Sequence, residues 1–209
     1  MPHLTLLGDS VFDNVAYVAS APAVIDQVRM NLPAGWQATL LAVDGDTTVE
    51  VPLQLRRLPQ GATHLALSVG GNDALGCIAR LETPAATVKQ GLVTLTQMKT
   101  DFQVNYQALI SKLLTLNKPL LVCTIYDHVP GLPAELGTAL GLFNDVILHE
   151  AIKLGLPVLD LRLVCTEPSD YSEKSPIEPS SQGGEKLTNR LVTAMLTHDF
   201  RARKCCVYW

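Results

Sequence analysis

"HLTLLGDSVFDNV", residues 3–15, carries an apolar run from His3 to Leu7 that stops at Gly8, places Asp9 and Ser10 in a turn, and turns apolar again at Val11. A run that is continuous in apolar residues, rather than alternating with polar ones, is how a strand covered on both faces reads. The stretch therefore admits two meanings. It is either an ordinary strand-to-helix connection or a serine hydroxyl held out beyond the end of a buried strand.

Working outward, four further short runs have the same character: Ala38 to Val43, His64 to Val69, Pro119 to Ile125 and Pro157 to Leu161. Helical patterns separate them, over Asn14 to Leu32, Thr48 to Leu58, Ala85 to Leu116, Ala134 to Leu154 and Gly184 to Leu196. Regular alternation of strand and helix predicts right-handed βαβ units and a parallel sheet between helical layers. The expected fold class is therefore α/β, a three-layer α/β/α sandwich around a flavodoxin-like five-stranded parallel sheet of order 2-1-3-4-5. Residues 1–200 read as one domain and 201–209, "RARKCCVYW", as a C-terminal tail that docks on the core or on a partner subunit. The segment 167–184, "EPSDYSEKSPIEPSSQGG", is the one long loop, and loops of that length in compact domains are often functional.

Composition narrows the classes. The 209 residues are 47% hydrophobic and 17% charged, which suits one well-buried domain. Sixteen Lys and Arg against 20 Asp and Glu give a formal charge of −4, so neither nucleic acid nor an anionic membrane surface is an expected partner. No apolar run approaches the roughly 20 residues of a membrane span, and no secretory signal is read ahead of Gly8, which points to a cytoplasmic setting. Five cysteines, odd in number and without C-x-x-C spacing, argue against a disulfide framework and a zinc site. No cofactor is expected: a phosphate loop after the first strand needs clustered N–H and hydroxyl donors, whereas "GDSVFDN" supplies two carboxylates.

In an open parallel sheet ligands bind beyond the carboxyl ends of the strands. The loops there are "GDS" after the first strand, "VDGDTT" after the second and "SVGGNDAL" after the third. The strand order makes the first and third strands neighbours, so Ser10 and Asn72 face one another and Gly45 joins them from the other side. Acyl transfer needs a nucleophilic oxygen and donors aimed at the developing oxyanion. Ser10 offers the hydroxyl; its N–H, the Gly45 N–H and the Asn72 amide offer three donors. Taken singly, "GDS" and "GGND" are equally well read as turns capping helices; their joint order and spacing favour the chemical reading. Together "LLGDSVFDN", "AVDGDTT" and "VGGNDAL" resemble three sequence blocks of the SGNH, or GDSL, hydrolase family. The resemblance implies nucleophile Ser10 and an oxyanion hole formed by Ser10, Gly45 and Asn72.

The fourth block of that family is an Asp-x-x-His whose histidine takes the serine proton. Here "SPIEP" places Ser175 where the Asp belongs and Glu178 where the His belongs. A carboxylate is a weaker base, with a reference pKa near 4.3 against about 6.5 for imidazole, but burial raises it. Of the five histidines, His128 in "TIYDHVPG" is the one that follows a strand on the site's edge and is the alternative base or a rim residue that touches substrate. Asp13 and Asn14, one helical turn after Ser10, are candidate substrate contacts, and Asp160 a support for the long loop, with helix capping or loop support the more ordinary role for each. The expected activity is hydrolysis of a small-molecule ester, with a homodimer admitted. The alternative is a protein that keeps the cleft for binding or regulation with little turnover.

Overall fold

The computed structural model describes residues 1–209. β1 (His3–Gly8) is buried along its whole length. It lies between β2 (Gln37–Leu40) and β3 (His64–Ser68), pairing in parallel with both, Leu6 opposite Leu40 on one side and Ala66 on the other. β4 (Leu120–Cys123) and β5 (Val158–Leu159) continue the parallel ladder. The sheet order β2-β1-β3-β4-β5 is the expected one.

A sixth strand corrects the five-strand expectation. β6 (Val207–Tyr208) adds the tail to β5, with Val158 and Asp160 N–H donating to the carbonyls of Cys206 and Tyr208. Two residues carry no periodicity, so nothing in "CCVYW" marks a strand; pairing on the open edge of β5 makes it one. The tail thus docks on the core by backbone hydrogen bonds.

The helices are α1 (Val24–Asn31), α2 (Val51–Gln54), α3 (Gly71–Gly76), α4 (Ile78–Leu81), α5 (Val88–Leu114), α6 (Ala134–Leu154), α7 (Leu161–Val164) and α8 (Ser181–Thr197). One face of the sheet packs on α1 and α8 through Val24, Val28, Leu187 and Leu191; the other packs on α5 and α6 through Met98, Phe102, Phe143 and Ile147. No helix is long and apolar enough to cross a membrane.

The helix expected over Asn14 to Leu32 is broken into a single 3₁₀ turn, Val15–Tyr17, and α1. The break lies at residues 18–23, where Ala19 takes φ +52° and Pro22 has no N–H to donate; Asn14 Oδ1 accepts from the N–H of Val24, serving the start of α1 from ten residues away. Likewise Thr48 to Leu58 holds only the short α2 and a 3₁₀ turn, and β2 ends at Leu40 rather than Val43 as the chain swings into the 43–46 turn. The short α3, α4 and α7 fall in segments where no helical pattern is read.

Gly8 closes β1 with φ +127°, and a Cβ there would stand 1.7 Å from the Ser68 carbonyl oxygen at the end of β3. Gly8→Ala combines a disfavoured backbone with a backbone clash and is expected to lower stability by about 3 kcal/mol or more. Gly76→Ala, on a helical glycine with open space around it, is expected to raise stability by up to about 1 kcal/mol. Urea denaturation midpoints check both; equal midpoints would contradict the close approach of the two strand ends.

Candidate active site

The turn after β1 is built from the Asp9 backbone and side chain. Asp9 N–H donates to Ser68 O at 3.0 Å, Phe12 and Asp13 N–H return to Asp9 O, and Val11 N–H donates to Asp9 Oδ1 at 3.2 Å. Gln54 clamps the same corner: its amide accepts from Gly8 N–H at 3.0 Å and donates to Gly8 O at 2.7 Å. These contacts hold Ser10 at the carboxyl edge of the sheet, where it is buried and lines a cavity.

Two neighbouring loops are stitched together beside it. Gly45 takes φ +87° with no atom within 4 Å of where a Cβ would sit, so the turn is open on that side. Asp44 N–H donates to Asp13 Oδ2 at 3.1 Å, which makes Asp13 a brace for the Gly45 turn; Asp13 does not line the cavity. Asn72, at the start of α3, donates through Nδ2 to Asp46 O at 3.0 Å, leaving its second amide hydrogen uncommitted. The Asp73 carboxylate accepts from both N–H and Oγ1 of Thr48, fixing the 43–48 loop against α3. The backbone N–H groups of Ser10 and Gly45 donate to no group of the chain.

Glu178 arrives from the 167–184 loop and is held by its backbone. Its N–H donates to Ser175 O, its carbonyl accepts from Ser172 N–H, Asn14 Nδ2 donates to Pro179 O, and the Tyr126 hydroxyl donates to Ile177 O. Ser175 therefore meets Glu178 through its backbone carbonyl and does not orient the carboxyl. The Glu178 side chain is buried, and Oε2 has no hydrogen-bond partner. Burial pushes its pKa up to about 7, the negative Asp44 adding to the rise; the adjacent Ser10 hydroxyl opposes it without making a hydrogen bond of ordinary length and angle. Asp9 is pushed to about 8, first by burial and then by the charges of Glu178 and Asp73, against the Val11 N–H bond.

The remaining candidates lie apart. His128 pairs with Asp127 at 2.9 Å, is half exposed and does not line the cavity. Asp160 caps α7, bonding Thr124 and both nitrogens of the Arg162 fork. No group of three or more His, Cys, Asp or Glu side chains is arranged to hold a metal ion. The cavity, ≈ 120 Å³, is lined by 22 residues, 16 of them hydrophobic; its polar lining comes from the loops after β1 and β3 and from Glu178. Sequence reading passed over Gln54 and Tyr126, polar groups in a short helix and a loop whose partners are distant in the chain, whereas Asn14 takes the capping role open to it.

The sequence pattern of the GDSL-like Lipase/Acylhydrolase family matches residues 6–186. The chain belongs to this family. Among solved structures, this GDSL-family chain is similar to a lipase from a goat rumen metagenome (TM-score 0.72, 19% identity, 93% of this chain and 97% of the other). It is also similar to the lipase/acylhydrolase from Enterococcus faecalis (0.66, 21%, 93% and 95%) and to an acetyl xylan esterase from Geobacillus stearothermophilus (0.66, 13%, 92% and 93%). At these identities the likeness is one of fold. A comparison with curated proteins gives no significant match.

Both raised carboxyls hold their protons more tightly folded than unfolded, so unfolding releases protons and their contribution to stability falls as pH rises from about 4 to 8. Glu178→Gln removes its share of that slope. Urea midpoints of the two proteins compared across this range should converge at low pH and favour the variant increasingly toward pH 8. A difference that is constant with pH would contradict the raised Glu178 pKa.

Proposed function

We propose that this GDSL-family protein is a serine ester hydrolase in which Glu178 takes the part that a histidine plays in the family's Asp-x-x-His block. The reading is carried by one observation: the unpartnered, buried Glu178 Oε2 beside the Ser10 hydroxyl at the polar end of an apolar cavity.

The chemistry follows from that placement. Ser10 Oγ attacks the ester carbonyl carbon as its proton passes to Glu178, and the carbonyl π pair becomes an oxyanion. Three donors without other duties, Ser10 N–H, Gly45 N–H and the free Asn72 amide hydrogen, stabilise that charge. Collapse breaks the C–O bond to the alcohol, which leaves with the proton from Glu178 and gives acyl-Ser10. Water, deprotonated by Glu178, repeats the sequence and releases the acid.

A pKa near 7 suits this exchange. A base works best when its pKa lies close to the operating pH, and burial brings the carboxyl to the range an imidazole occupies unaided. Asp9, protonated at neutral pH by its own burial, adds no second negative charge beside it. Asp13 supports the Gly45 turn, and His128 has no part in proton transfer.

A fluorophosphonate probe is expected to give a mass adduct on Ser10 that Ser10→Ala abolishes. With p-nitrophenyl butyrate, Glu178→Gln should lower kcat/KM by ~10² to 10⁴, the range of general-base contributions. No adduct with the wild-type protein, together with esterase activity gained by Ser175→Asp plus Glu178→His, would overturn the reading in favour of a binding protein.

A further inference from the structure

The cavity at Ser10 does not end in a solid wall. Behind it, between α4, the start of α5 and the start of α6, lies a second space of ≈ 560 Å³ whose lining is mixed, with Arg80, Glu82 and Glu135 among its polar residues. Four side chains, Ile78, Leu81, Leu136 and Ala139, line both spaces and so form the partition between them. Ile78 and Leu81 belong to α4, a single turn of helix, and Leu136 lies in the first turn of α6, so the partition is made of side chains on element ends rather than of backbone in the sheet. Leu81 and Leu136 are half-buried.

The inner cavity is apolar everywhere except at its Ser10 end, reaching Met98 on α5 and Phe143 on α6. Such a shape offers nothing to hydrogen-bond the hydroxyls of a sugar and favours a group that loses only apolar surface from water. An apolar cavity of about 150 Å³ takes up benzene, so ≈ 120 Å³ holds roughly five carbons.

Resting on the ester-hydrolase reading above, we infer that the acyl half of the substrate is a short linear chain lying in this cavity, and that Leu81 and Leu136 set its upper length by closing the cavity off from the outer space. The alcohol half leaves from the polar end, where Ser10, Asn72 and Glu178 lie. Each further methylene that fits should raise kcat/KM by about fourfold, and the gain should stop where the chain meets the partition. Removing the partition joins the two spaces and lets a longer chain run through.

The test is a p-nitrophenyl ester series from acetate to palmitate, on the wild type, Leu81→Ala, Leu136→Ala and Ala139→Phe. The wild type should peak near the hexanoate. The two alanine variants should move the peak to decanoate or beyond. Ala139→Phe, which fills the cavity, should move the peak to butyrate or acetate. Binding of n-hexanol and n-decanol to Ser10→Ala, with and without Leu136→Ala, is measured by calorimetry alongside. Preference for hexanol that passes to decanol on opening the partition supports the inference even where no ester is cleaved, in which case only the hydrolytic reading falls. Active enzymes with the same chain-length profile in all four proteins, or a wild-type peak at acetate, would overturn the inference and leave the hydrolytic reading standing.

Discussion

The end of β1 meets the end of β3 backbone to backbone, and the site is arranged around that contact. Gly8 sits where a Cβ would strike the Ser68 carbonyl, and Asp9 N–H then donates to the same oxygen. Only a residue without a side chain lets the two strand ends approach so closely, and only at φ +127° does the chain turn there. The approach sets Ser10 beside Asn72 without any side chain having to reach. Gln54 then bonds both the N–H and the carbonyl of Gly8, so the corner cannot open without losing two buried hydrogen bonds.

Placing a carboxyl at this corner is costly for the fold, and the cost is what makes the group useful. A buried carboxylate lacking hydrogen-bond partners favours its protonated form, which works against stability at neutral pH. Glu178 Oε2 has no partner, and the backbone around it is tied by Ser172, Ser175, Asn14 and Tyr126, so the loop holds the side chain in place and does not let it turn toward water. Burial brings a carboxyl held in that way to a pKa of about 7, close to that of an imidazole. In the proposed mechanism the Asp that orients a histidine in the family pattern has no duty, since a carboxyl has no second ring nitrogen to be held, and Ser175 contributes a backbone carbonyl to the Glu178 N–H.

Much of this was legible in the sequence, and the limits have physical causes. Strands buried on both faces announce themselves as continuous apolar runs, and α6 has the bounds that its periodicity gives, Ala134 to Leu154. That Ser10, Gly45 and Asn72 lie at one edge is legible because parallel topology sends every strand's following loop there. What escaped is non-local. The side chain of Asn14 serves Val24 and Pro179, the latter 165 residues away, and no window along the chain contains both. The environment of Glu178 is likewise made by residues from several loops, and its pKa is a property of that burial. A polar residue inside an apolar helical pattern, such as Asn14 or Gln54, was the available hint. β6 had none, because two residues take their structure from the edge they join.

The central claim is that Glu178 accepts the Ser10 proton, and the pH dependence of fluorophosphonate labelling tests it most directly. The account predicts that the labelling rate of Ser10 rises with a single midpoint near pH 7 in the wild type, and is slow and without that midpoint in Glu178→Gln. The same rate and the same midpoint in both proteins would contradict it.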